Sequence, residues 1–77
     1  MLILSQDGDT IVNLDNVEGI WINPPLNNND GLFEIRAETY SSNMVIGEYD
    51  TEKRAKEILI EIATIYDEAI LFLMPKE

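Results

Sequence analysis

The run from Thr51 to Met74 constrains this 77-residue chain more than any other stretch. Ala55, Ile58, Leu59, Ile62, Tyr66, Ala69 and Leu73 recur at spacings of three and four, which places them on one face of an α-helix, with Ile65 and Ile70 flanking it. Thr51 is a good N-cap, because its hydroxyl can accept a hydrogen bond from an orphan amide of the first turn. Asp50 and Glu52 put negative charge where the helix dipole favours it. Pro75 cannot continue a helix. The spacing therefore predicts a helix over 51–74, with Lys53, Lys56, Glu57, Glu61, Thr64, Asp67 and Glu68 on its polar side.

Ile60 and Leu71 interrupt that polar side and line up three turns apart. Two readings are open: scattered surface apolar residues, which are ordinary, or a second contact surface. Length supports the second. A helix of ~22 residues is ~33 Å long, whereas a six-residue strand spans only ~20 Å. The helix should overhang its sheet, and its last turns, 69–74, are apolar almost all round, Phe72 and Met74 included. A helix apolar on every side is normally buried on every side, and in so small a chain a second protomer is the natural cover. Glu61, Asp67 and Glu68 interrupt the run and exclude a membrane span.

Before the helix the pattern is one of short strands. Leu2-Ile3-Leu4 and Thr10–Leu14 should form a hairpin around Asp7-Gly8, a dipeptide suited to turns needing positive φ. Asp15-Asn16 reads as a turn or bulge and Val17–Asn23 as the next strand, ended by Pro24-Pro25. Leu26–Gly31 reads as a polar loop. Leu32–Tyr40 alternates apolar Phe33, Ile35 and Ala37 with Glu34, Arg36 and Glu38, and Met44–Tyr49 returns after a turn. Strands in a run followed by a helix predict one α+β domain over 1–77: a four- or five-stranded antiparallel meander in 1–50, crossed by a long C-terminal helix. A strongly curled version would resemble a pleckstrin-homology half barrel in shape, which implies no ligand.

Chemistry is scarce. The chain has no cysteine and no histidine, which removes disulfides, thiolate metal sites and the commonest general base. Asp7 and Asp9 fall far short of a calcium loop, and aligning 26–37 to that pattern puts Leu26 and Ala37 at obligatory ligand positions. The glycines form no phosphate loop. Glu57, Glu61 and Glu68 make a solvated ridge, not two carboxylates across a cleft. No catalytic, cofactor-binding or metal-binding residue is assigned, and a non-enzyme without cofactor is expected. The net charge is −10, and residues 1–50 hold nine acids against Arg36 alone. Such a balance disfavours direct binding of nucleic acid or anionic membranes and allows a basic protein partner, although solubility alone also accounts for it. Met1–Gln6 lacks the basic region and long apolar core of a signal peptide, so a cytoplasmic protein is expected.

If Ile20, Ile22, Phe33 and Ile35 face the helix, then Trp21, Glu34, Arg36 and Glu38 face outward. Trp21 either packs at a core edge or beneath Pro24-Pro25, or stands beside Arg36 as the kind of anchor interfaces use.

Ser5-Gln6-Asp7-Gly8, Val12-Asn13-Leu14-Asp15-Asn16-Val17 and the stretch Gly47–Leu59, with its Gly-Glu-Tyr strand and Arg54-Ala55 helix opening, together resemble small uncharacterised proteins of low-GC Gram-positive bacteria and their phages. The resemblance covers about half the chain and omits the loop at 24–31. Its motifs are a turn, a strand end and a helix cap, and it implies no activity and no functional residues.

The sequence thus predicts a non-enzymatic interaction module that self-associates, as a dimer or larger, through Ile60, Leu71, Phe72 and Met74, with Trp21 and Arg36 as a further candidate surface. The alternative is an acidic decoy, a DNA mimic that inhibits a basic nucleic-acid-binding protein.

Overall fold

The computed structural model describes residues 1–25 and 30–77; positions 26–29 of the expected loop lie outside the described residues. The chain is α+β. Its elements are β1 (Leu2–Leu4), β2 (Ile11–Asn13), a 3-10 turn (Leu14–Asn16), β3 (Val17–Asn23), β4 (Phe33–Thr39), β5 (Asn43–Tyr49), α1 (Glu52–Ile65) and β6 (Leu71–Leu73).

The strands form two three-stranded sheets instead of one meander. One sheet, in the order β3-β4-β5, is antiparallel throughout. The other, in the order β2-β1-β6, pairs β1 antiparallel with β2 and parallel with β6. The β1–β2 hairpin turns at Gly8, whose φ of +77° only glycine adopts freely. Asp15-Asn16 lies in the 3-10 turn, begun by Asn13 Oδ1 accepting from the Asp15 N–H at 3.0 Å.

The helix starts where expected. Thr51 Oγ1 accepts from Arg54 N–H at 3.0 Å, and Lys56 pairs with Glu52 at 3.1 Å. Its end is different. The helix stops at Ile65, after 14 residues, and residues 66–69 turn the chain, with the Glu68 and Ala69 N–H groups both bonded to the Ile65 carbonyl. At ~21 Å the helix matches a seven-residue strand and overhangs nothing. It lies across the inner face of the β3-β4-β5 sheet and buries Ala55, Ile58 and Ile62.

Residues 71–73 form a strand because a strand satisfies them better. In a helix, Phe72 and Met74 would have had no neighbouring core. As β6 they lie beside β1, where the Leu2 N–H bonds the Ile70 carbonyl at 2.8 Å and the Met74 N–H bonds the Leu4 carbonyl at 3.1 Å. Phe72 and Met74 then reach the core formed with Ile3, Val12, Ile35, Ile46, Ile58 and Ile62. An unbroken apolar run is what a parallel strand with apolar groups on both faces looks like. Tertiary packing here overrides the helical spacing of Tyr66, Ala69 and Leu73.

Two polar clasps close the structure. Gln6 donates its N–H to the Ile46 carbonyl, and its side-chain amide both accepts from the Glu48 N–H at 2.7 Å and donates to the Glu48 carbonyl at 2.9 Å. It thereby acts as a one-residue extension of the ladder along β5. The buried Tyr49 hydroxyl donates to the Pro75 carbonyl at 2.8 Å and holds the C-terminal segment. Gly47 makes room for that ring, since a Cβ there would sit 2.7 Å from Tyr49 Cε2. Burial pushes the Tyr49 phenol up to about 12, against a smaller opposing pull from Arg54.

Two outcomes follow from this packing. Phe72→Ala should cost about 3 kcal/mol or more in urea unfolding, whereas Leu71→Ala, one residue away on the other face, should cost less than about 1.5 kcal/mol. Tyr49 should stay protonated well past pH 10 in an absorbance titration of its phenolate. Because its folded value is raised, its contribution to stability is whole below pH 10 and is lost as pH rises from about 10 to about 12.

Candidate interaction surfaces

The two sides of the β2-β1-β6 sheet differ from what alternation usually gives. Ile3, Val12 and Phe72 point inward and are buried. The intervening residues point outward and, apart from Asn13 beside Leu2, are apolar too. Leu2 lies beside Leu71, and Leu4 sits between Leu73 on one side and Ile11 on the other. Ile11 is 62 % exposed, Leu73 60 % and Leu71 49 %, with Leu2 also exposed and Leu4 half-buried. Ile70, at the start of β6, is 84 % exposed. A sheet face open to water normally carries polar residues at these positions. Neighbouring exposed apolar side chains on one face point to a contact surface more than isolated exposed leucines do.

The structure distributes the residues singled out from the sequence. Leu71 belongs to this outer face. Phe72 and Met74, expected at an interface, are core residues, because β6 turns them inward. Ile60 is exposed on α1, but Leu71 has left the helix, so the two share no helical stripe. Leu2, Leu4, Ile11 and Leu73 were missed. A hint lay in Leu2-Ile3-Leu4, a three-residue strand with no polar alternate.

The outer face of the β3-β4-β5 sheet carries a second cluster. Trp21 lies directly opposite Arg36, and Arg36 opposite Val45, so the three form a row across the strands. Trp21 is half-buried. The Arg36 guanidinium is already engaged: Nε donates to Glu34 at 3.0 Å and Nη1 to Asn43 at 3.0 Å. Glu34 is only 7 % exposed, although its strand position faces outward. It accepts from Asn23 Nδ2 at 2.9 Å as well as from Arg36. The bond from Asn23, then the charge and bond of Arg36, hold its carboxyl below the usual value despite burial.

A third feature is a shallow, mostly apolar groove of about 430 Å³ between α1 and β3, lined by Leu14, Ile20, Leu59, Ile62, Ala63, Tyr66 and the carboxylate-bearing Asp67. Tyr66 closes one end by donating its hydroxyl to Asp15 at 2.9 Å. That bond raises the phenol's own proton affinity.

The bond from Ser5 holds the Asp7 carboxyl below the usual value, as its own partners hold Glu34, the opposite of what a general acid needs. Nor does any group of three or more metal-ligating side chains occur among the described residues. No described helix is long and apolar enough to cross a membrane. No family model matches the chain, and no curated protein or solved structure matches it.

Glu34 gives this surface a pH signature. Its folded value is lowered, so its stabilisation is complete above pH 4.5 and is lost as pH falls through the folded value. Glu34→Gln should therefore lower the melting temperature at pH 7 and flatten the acid side of the stability profile, with convergence on the parent chain at the lowest pH. Coincident profiles would show that the Asn23–Glu34–Arg36 network contributes nothing to the folded state.

Proposed function

We propose that this chain is a non-enzymatic protein interaction module that self-associates through its C-terminal segment, with the outer face of the β2-β1-β6 sheet as the working surface. The observation that carries the reading is the apolar face of Leu2, Leu4, Ile11, Leu71 and Leu73 on a chain with a charge of −10. Water is a poor neighbour for such a face, and a chain of this size has little stability to spare for leaving it bare. Residues 1–5 and 69–75 also hold no charged side chain, so two acidic copies meet there without opposing carboxylates. The helix ends at Ile65 and overhangs nothing, so self-association falls to the sheet face instead.

A second reading, an acidic decoy for a basic nucleic-acid-binding protein, is favoured by a different observation. Of fifteen acids, only Glu34, Glu52 and Glu57 pair with basic side chains among the described residues. Under this reading, capture of a basic partner weakens steeply as salt is raised.

Leu71→Glu separates the readings. Light scattering at two protein concentrations should show the parent chain as a dimer or larger, and the variant shifted toward the monomer with its circular dichroism unchanged. A parent chain that is monomeric at both concentrations would remove self-association and leave the acidic surface as the better explanation.

A further inference from the structure

Among the described strands, β6 is the edge whose own residues are all apolar; its shortness and the following Pro75 are what blunt it. Exposed edges are usually blunted by charge, proline, a bulge or a covering group. The outer edge of β5 is taken up by Gln6. On β3 there are Glu18, a register shift between Val17 and Gly19, and the following Pro24-Pro25. β2 ends in Asn13 and lies between Asp9 and Asp15. Residues 69–74 contain neither charge nor proline. The Ile70 carbonyl and Met74 N–H face β1, so the alternation of a parallel ladder turns the N–H and C=O groups of Leu71 and Leu73 to the open side.

We infer that two copies join by antiparallel pairing of β6 with β6 about a twofold axis at Phe72, making one six-stranded sheet from the two β2-β1-β6 sheets. The inference rests on the self-association reading and gives it a geometry. The register is self-complementary, as a twofold interface requires. Leu71 stands opposite the partner's Leu73, and the two exchange main-chain hydrogen bonds, four in all across the axis. Ile70, the most exposed aliphatic side chain among the described residues, stands opposite the partner's Met74. Every opposed pair is apolar, so two chains of charge −10 approach along the strand edge where no carboxylates confront each other. A basic partner would be drawn to the acid-flanked edges instead. With three exposed apolar side chains per copy, the contact falls below about 1,200 Å² in total, the small end of specific interfaces. A dissociation constant in the micromolar range, about 1 μM, is expected.

The full chain has no cysteine, so Leu71→Cys and Leu73→Cys can be made separately and oxidised together. Opposed residues of a hydrogen-bonded pair have Cα atoms ~5.5 Å apart, within disulfide reach, whereas like positions are diagonal at ~7–8 Å. The mixed disulfide should therefore exceed either like-with-like dimer at least about fivefold. Leu73→Pro, which deletes an N–H unused within the chain, should raise the dissociation constant about tenfold beyond Leu73→Ala, which keeps it. A dimer that crosslinks like-with-like or at random, or that tolerates Leu73→Pro as well as Leu73→Ala, overturns edge pairing and leaves self-association standing. A parent chain monomeric at 100-fold the expected ~1 μM constant overturns both.

Discussion

The docking of β6 against β1 is the contact on which the rest depends. It joins the last strand to the first through bonds from Leu2 to Ile70 and from Met74 to Leu4. It carries Phe72 and Met74 into the core with Ile3 and Val12. Without it, β1 and β2 would be a two-stranded hairpin of three-residue strands, too small to persist alone. The clasps around it belong to the same closure. Gln6 ties the end of β1 to β5, Tyr49 ties β5 to Pro75, and Lys76 returns to the Gln6 carbonyl at 2.8 Å. Chain ends that would otherwise fray are thus held by the residues that align the two sheets.

The same docking creates the surface. A strand that alternates Leu71, Phe72, Leu73 cannot bury one face without presenting the other, because successive side chains point to opposite sides. Leu2 and Leu4 do the same on β1 and Ile11 on β2. The apolar outer face is therefore inseparable from the way the core is closed. The β3-β4-β5 sheet shows the opposite solution, with Glu34, Arg36, Asn23 and Asn43 bonded to one another on its outer side. One sheet is finished largely with bonded polar groups around Trp21 and Val45, and the other, Asn13 apart, is left apolar; that asymmetry is the main functional clue the molecule offers.

Much of this was legible in the sequence for a physical reason. The alternation along Leu32–Tyr40 and Val17–Asn23 offered a common outer face for Trp21 and Arg36 as one of two readings, and the strand register sets the two opposite each other, because register follows from which residues must be inside. Thr51 as N-cap and the Asp7-Gly8 turn are local, and local chemistry is readable from local residues. The stretch 66–74 was misread because its apolar residues satisfy a helical spacing and a strand spacing equally well, and no proline or glycine stands at the true boundary, Ile65. Phe72 and Met74 went with that error, and so did the pairing of Ile60 with Leu71.

By itself, then, the amino-acid sequence determined the elements whose reasons are local: the hairpin turn, the alternating central strands, the start of the helix, the acidic charge and the lack of histidine and cysteine chemistry. Only the tertiary structure decided where the helix ends, that the last strand runs parallel beside the first, and that Leu2, Leu4, Ile11, Leu71 and Leu73 share one exposed face. Those decisions depend on a sheet edge 69 residues away in the chain, since Leu2 pairs with Leu71. A run such as Ile70–Met74 takes whichever backbone form lets that edge bond and lets Phe72 leave water.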